Sequence, residues 1–319
     1  MSYTKGSVTQ ATDFNALAGV TGSAAASSAA AQKVAGYLWG VGYGDRGYGQ
    51  TSPALANVSV GGVDQTWANV QTIINNMATW QNTATTGMPT AANMAQGAVV
   101  AAYPTGNSPS LVDFLSTLDT NRLNYVGGNM TLTSSVATNT RATTWGLSGG
   151  SITGTFTVTF ASADAARYFF NTGGEIRIAL AHPNTSTTRD ADWNTVLNNL
   201  VVAFRANASA RLTGSYGTAQ AVGYYQLTGS NQAILSDTVF PSPYTTNSFY
   251  VYASVSGTAS NGGPGNVITF TITLNDTYYT AQDNTGVQAG TNAVLSHLRA
   301  GSVLSVLPAA PTCVVGTNF

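Results

Sequence analysis

The chain has 319 residues, of which 43% are hydrophobic and only 7% charged, with a formal net charge of -1. That length supports a substantial core and two unequal domains, and the hydrophobic content excludes an intrinsically disordered chain. No basic field is present to neutralise phosphates, so nucleic acid is not an expected partner.

The polar surface must come from Thr, Ser, Asn and Gly. Burying these residues costs less than burying Lys or Glu, which favours contact with neighbouring subunits and a homo-oligomer. The single cysteine, Cys313, excludes an intrachain disulfide framework and cannot supply a metal cluster by itself; it reads as a small apolar side chain. "MSYTKGSVTQ" lacks the apolar stretch of a targeting signal, and the Ala/Ser run "GSAAASSAAAQKVAG" is too short and too weakly hydrophobic for a membrane helix. No membrane partner is expected.

Residues 1–61 read as an extended Ala/Gly-rich attachment segment with few large apolar side chains. Within it, "GYGDRG", Gly42 to Gly47, has the G-x-G-x-x-G spelling of a dinucleotide-binding turn, but Pro53 interrupts the helix that such a turn needs, so it reads as a glycine loop. The Ala-rich run from Ser23 to Ala35 can form a helix yet has no apolar stripe to anchor it.

Residues 62–130 carry helical periodicity. Val63, Trp67, Val70, Ile74 and Met77 recur at steps of three and four, with Ile73 and Trp80 widening the stripe. Further on, Ser108 is placed as an N-cap, Pro109 at the first helical position, and Leu111, Phe114, Leu115 and Leu118 share a face.

From about residue 131 the period becomes two. Phe156, Val158 and Phe160 alternate with threonines; Phe249, Val251, Ala253 and Val255 alternate with Tyr250, Tyr252 and serine; Ile268, Phe270, Ile272 and Leu274 form a third set. "EIRIAL", "LVVAFRA", "AVGYYQL" and "SVLSVL" are further strand candidates. The expected fold is mainly β: an antiparallel β-sandwich over residues 131–319 with a smaller helical, Gly/Ala-rich N-terminal region.

"ADAARYFFNTGGEIRI", residues 163 to 178, holds the only glutamate of the chain. Ser162 can cap a short helix through Phe170, Asn171-Thr172-Gly173-Gly174 can end it, and Ile176 and Ile178 open a strand, so the stretch reads as a helix-to-strand joint. Arg167, Glu175 and Arg177 are expected to form a structural charged cluster across it.

"RDADWNTVLNN" begins like a calcium loop with Asp190, Asp192 and Asn194, but Thr195 stands where glycine is wanted and Val201 where the bidentate glutamate belongs. Asp190 or Asp192 is read instead as the cap of a short helix carrying Trp193, Val196 and Leu197. His182 and His297 lie in no nucleophile or metal-ligand motif and read as structural or surface residues. No catalytic, cofactor-binding or metal-ligating residue is assigned, and an enzyme is not expected.

Together, "ATDFNAL", "GDRGYGQ", "ADAARYFFNTGGEIRI", "DADWNTVL" and "AVGYYQLTGSNQAIL" resemble a family of virion structural proteins of tailed bacteriophages, including those of cyanobacteria. The resemblance spans most of the chain and is sharpest over Ala166 to Ile178. It implies a tail, neck or fibre-associated particle component, assembled in the host cytoplasm with other virion proteins as partners and without a cofactor. The alternative function is a module of the phage tail that binds a host surface glycan, since Tyr-rich sandwich surfaces can stack on sugars.

Overall fold

The computed structural model describes residues 78–79, 82–84, 121, 126–147, 149–258, 264–278, 285–301 and 307–319. The chain divides into two compact units. One comprises Met1–Met130, Asn171–Gly173 and Ala300–Pro308; the other comprises Thr131–Phe170, Gly174–Arg299 and Ala309–Phe319. The glycine loop, the Ala-rich helix, the helix from Ser108 and the "SVLSVL" strand all fall outside the described residues, apart from the last residue of "SVLSVL". Of the helix expected from Val63 onward, Ala78 and Thr79 are described and are helical, with Ala78 buried.

The second unit is mainly β and contains two antiparallel sheets. Its strands are β1 (Met130–Thr140), β2 (Ser151–Thr159), β3 (Glu175–Ala181), β4 (Leu200–Phe204), β5 (Ser209–Thr213), β6 (Thr218–Ala219), β7 (Gln232–Asp237), β8 (Ser248–Ser256), β9 (Val267–Asn275), β10 (Asn292–Ala300) and β11 (Thr312–Val315). A five-stranded sheet runs β1-β10-β3-β4-β5, and a six-stranded sheet runs β11-β2-β9-β8-β7-β6. Among the described residues, the helices α1 (Ala163–Asn171) and α2 (Thr188–Leu197) interrupt the strand sequence.

Alternation explains the layering. In β9 the side chains of Ile268, Phe270, Ile272 and Leu274 are all buried while their neighbours are half-exposed, as a period-two pattern requires of a strand with one wet face. β2 and β8 flank β9 in register, with Phe156 opposite Phe270 and Val251 opposite Ile272. From the other sheet, Ile176, Ile178 and Leu180 on β3 and Leu200, Val202 and Phe204 on β4 join the same core. The rings of Phe204 and Phe270 meet edge-on at 5.3 Å between centroids, so the inner faces of the two sheets touch in a sandwich-like arrangement.

The joint at residues 163 to 178 forms as its residues dictate. Ser162 Oγ accepts from Ala165 N–H at 3.1 Å and caps α1. Phe169 and Phe170 are buried by α1 against Phe160, Phe204 and Tyr224. Gly173 then takes φ +82, the left-handed region that glycine enters freely. Gly174 is needed for a different reason: a Cβ there would strike the carbonyl oxygen of Phe169 and lie 2.6 Å from its ring.

Two expectations are corrected. "AVGYYQL" is not a strand; Tyr224–Gln226 forms a 3-10 turn. Tyr224 is fully buried, stacks on Phe170 at 4.8 Å, and donates its hydroxyl to Pro264 O at 2.8 Å. Tyr224 and Tyr225 spend their backbone N–H groups on Arg205 and Ala206 carbonyls, so the segment docks on a loop and has no ladder partner. The cap of α2 is Thr187, whose side chain accepts from Asp190 N–H; Asp190 and Asp192 both lie inside the helix. Asp190 is thereby free to turn its carboxylate inward.

Candidate functional site

Among the described residues, four side-chain groups carry chemistry. The first is a buried array of hydroxyl, imidazole and carboxylate. His182 follows β3, Asp190 sits in the first turn of α2, and Thr291 precedes β10. His182 Nε2 lies 3.1 Å from Asp190 Oδ1, and Nδ1 lies 2.9 Å from Thr291 Oγ1. An ionised carboxylate only accepts, so Nε2 carries the proton, Nδ1 accepts the Thr291 hydroxyl proton, and Thr291 Oγ1 accepts from Trp145 Nε1 at 3.2 Å.

This order of groups is the one used in acyl transfer, where the hydroxyl must reach a substrate carbonyl. Here Thr291 and His182 are each 1% exposed, and Asp190 is 0% exposed. Asp190 also accepts from Gln288 N–H at 2.8 Å and from the Ser186 hydroxyl at 2.7 Å. The array ties together β3, α2, the Trp145 segment and the approach to β10. Burial pushes the His182 imidazole down against the upward pull of Asp190, while for Asp190 the hydrogen bonds from Gln288, Ser186, His182 and Thr187 outweigh burial and hold the carboxyl down.

The second group surrounds Arg189, fully buried on α2 beside Asp190. Its guanidinium donates to Gly146 O at 3.1 Å and to Tyr278 O at 2.8 Å, lies 3.2 Å from Asp276 Oδ2, and sits 5.7 Å from the Tyr244 ring centroid. A buried arginine held by carbonyls, a carboxylate and a ring pins loops together. On the same helix, Asp192 is 8% exposed, its Oδ2 has no hydrogen-bond partner, and burial pushes its carboxyl up to about 6.

The third group is the expected cluster in the joint, with a changed membership. Glu175, 1% exposed, is gripped by Arg177 at 2.7 Å and by Arg205 Nε at 2.7 Å, whereas Arg167 pairs with Asp164 at 2.9 Å within α1. Arg205 follows β4, which pairs with β3 in register, so the sheet brings it to Glu175. Sequence spacing alone contains no such signal. His297, the other histidine, is buried on β10 with its ring edge-on to Phe169; burial and the nearby Arg299 charge push it down.

The fourth group is accessible. On the outer face of the six-stranded sheet, Thr153, Thr155 and Thr157 of β2 stand opposite Thr273, Thr271 and Thr269 of β9. Tyr250 and Tyr252 of β8 stand beside Thr273 and Thr271. The two phenol rings are stacked, with centroids 5.4 Å apart and 13° between planes. No charged residue occupies an outward position on β2, β8 or β9.

Among the described residues no cluster of His, Cys, Asp and Glu is arranged to hold a metal ion, and no helix is long and apolar enough to cross a membrane. Cys313 is half-buried on β11 with its thiol pushed up to about 11 by burial, as an inert packing side chain would be. Comparison of the chain with protein-family models, with curated proteins and with solved structures finds no match.

Proposed function

We propose that this chain is a structural subunit of a tailed-bacteriophage particle, in the tail, neck or a fibre, and that residues 131–319 form an autonomous β-sandwich presented to neighbouring subunits. The observation that carries this reading is the contrast between inside and outside. Of the groups able to do acid–base chemistry among the described residues, His182, Asp190 and Glu175 are buried and bonded to one another or to arginine, and Asp192 and His297 are buried as well. The outer face of β2, β8 and β9 offers hydroxyls without charge, which a neighbouring subunit can cover at little desolvation cost. The resemblance of residues 163 to 178 to virion structural proteins points the same way. An antibody against this chain is expected to label gradient-purified tailed particles from its source; particles lacking the chain would overturn the reading.

Tyr250 and Tyr252 favour a second reading, a module that binds a neutral host surface glycan. Phenol rings flanked by Thr271 and Thr273 offer both a surface for sugar C–H groups and hydroxyl partners for sugar hydroxyls. On this reading, retention of the full chain on a column of neutral host-surface polysaccharide is lost in Tyr252→Ala. Equal retention of the two proteins would exclude the tyrosine pair.

A further inference from the structure

We propose that the outer half of β1, Met130 to Ser134, docks against the same segment of a second copy of this chain, so that the five-stranded sheet continues across a two-fold axis. The inference rests on the reading of the chain as an assembly subunit and names the contact.

A sheet edge presents unpaired N–H and C=O groups, which soluble proteins blunt by shortening the strand, charging it or covering it. Among the described residues the edge strands are β1, β5, β6 and β11. β6 has two residues and β11 four. β5 carries the exposed Arg211, and its Ser209 N–H donates to Gln220 O just beyond β6. β1 is eleven residues long, MTLTSSVATNT, with neither a charge nor a proline.

Among the described residues, only part of β1 is covered. Asn139 Nδ2 donates to Thr317 O at 2.8 Å, and Asn139 Oδ1 accepts from Phe319 N–H at 3.0 Å, which ties the C-terminal residues to the buried Asn139 side chain in the inner half. Thr131, Leu132, Thr133, Ser134 and Ser135 are exposed on both faces of the strand. Among the described residues no strand pairs with the side of β1 away from β10. Ser135 separates the halves: it holds φ +52, unusual for a non-glycine residue, and its N–H donates to the Ser296 side chain at 3.1 Å.

A second copy is the occupant that this segment fits. Leu132 is 47% exposed and stands among hydroxyls. Antiparallel self-pairing centred on it sets Leu132 against Leu132 of the partner subunit, and Thr131 against Thr133 of the partner subunit. Apolar and threonine pairs of this kind stabilise a ladder, no like charges meet, and the two-fold contact closes on itself.

Sedimentation of the full chain tests the contact by charge exchange. Leu132→Lys and Leu132→Glu, each alone, are expected to weaken dimerisation at least tenfold, because each sets like charges face to face; an equimolar mixture is expected to recover it. A monomeric parent chain, unaffected variants, or a mixture that does not recover would overturn the proposal, the last result indicating that another partner or the chain's own N-terminal segment occupies the edge. Should a charged variant fail to fold, Leu132→Cys in a Cys313→Ser background decides. Directly opposed residues lie about 4.5–5.5 Å apart at Cα, within disulfide reach, so mild oxidation should give a covalent dimer, and its absence would overturn the register. Particles that contain a chain unable to self-associate would sink the edge alone, whereas a self-associating chain missing from particles would sink the particle reading alone.

Discussion

Asp192 shows how one residue sets a pH dependence. Burial raises its carboxyl to about 6 from an ordinary value of 3.8, so the folded state binds a proton that the unfolded state has already released across that interval. Stability therefore falls as pH rises from about 4 to about 6 and stays lower above it. Asp192→Asn removes the ionisation and is expected to raise stability at pH 7.5 by about 1–3 kcal/mol relative to the parent, with little gain at pH 4. Denaturant melts at the two pH values check this; an equal effect at both would show that ionisation of Asp192 is not the cause. The two glycines of the joint act at the same scale. Gly173→Val and Gly174→Val are each expected to lower stability by about 1–3 kcal/mol, the first through its positive φ and the second through collision with Phe169. Unchanged thermal melting of both variants would contradict the turn.

The elements are held by contacts between distant segments. Tyr224, at the 3-10 turn, stacks on Phe170 of α1 and reaches the carbonyl oxygens of Pro264 and Gly265 ahead of β9. Tyr224→Phe keeps the stack and is expected to cost about 1 kcal/mol, whereas Tyr224→Ala opens a cavity and is expected to cost about 3–5 kcal/mol. Urea unfolding of the two variants separates hydrogen bond from packing; similar losses would mean that the stack contributes little. α2 shows the complementary case, in which polar residues do the holding: Arg189 and Asp190, adjacent in sequence, reach different partners, the first Gly146 and Tyr278, the second His182 and Gln288.

For the whole molecule, the large alternating side chains of β2, β8 and β9 are buried within one core that also takes β3 and β4. Each such side chain stabilises the fold by about 1.5–3 kcal/mol on burial, and residues 131–319 are therefore expected to fold without residues 1–61. Deleting residues 1–61 is expected to leave a soluble protein with a single cooperative melt that no longer enters particles. Calorimetry of the truncated chain checks the first half and its recovery from particles the second; normal incorporation would move the anchor to residues beyond Val63.

The sequence by itself determined which segments are strands wherever period two was clean, as in β2, β8 and β9, because alternation needs only local geometry and one wet face. It also determined the joint at residues 163 to 178, since Ser162, Gly173 and Gly174 act on their immediate neighbours. What only the tertiary structure decided was everything joined across long loops. Thr291 meets His182 across 109 positions and Arg205 meets Glu175 across 30, because sheet pairing, and not spacing along the chain, brings them together. β10 is not legible because His297 interrupts its apolar row, and "AVGYYQL" reads like a strand because a buried tyrosine satisfies its hydroxyl in a turn as well as a strand would. The place of β1 at a sheet edge is tertiary in the same sense: a run of Thr and Ser reads alike whether its edge is paired, covered or free, and among the described residues only the position of the other strands distinguishes these.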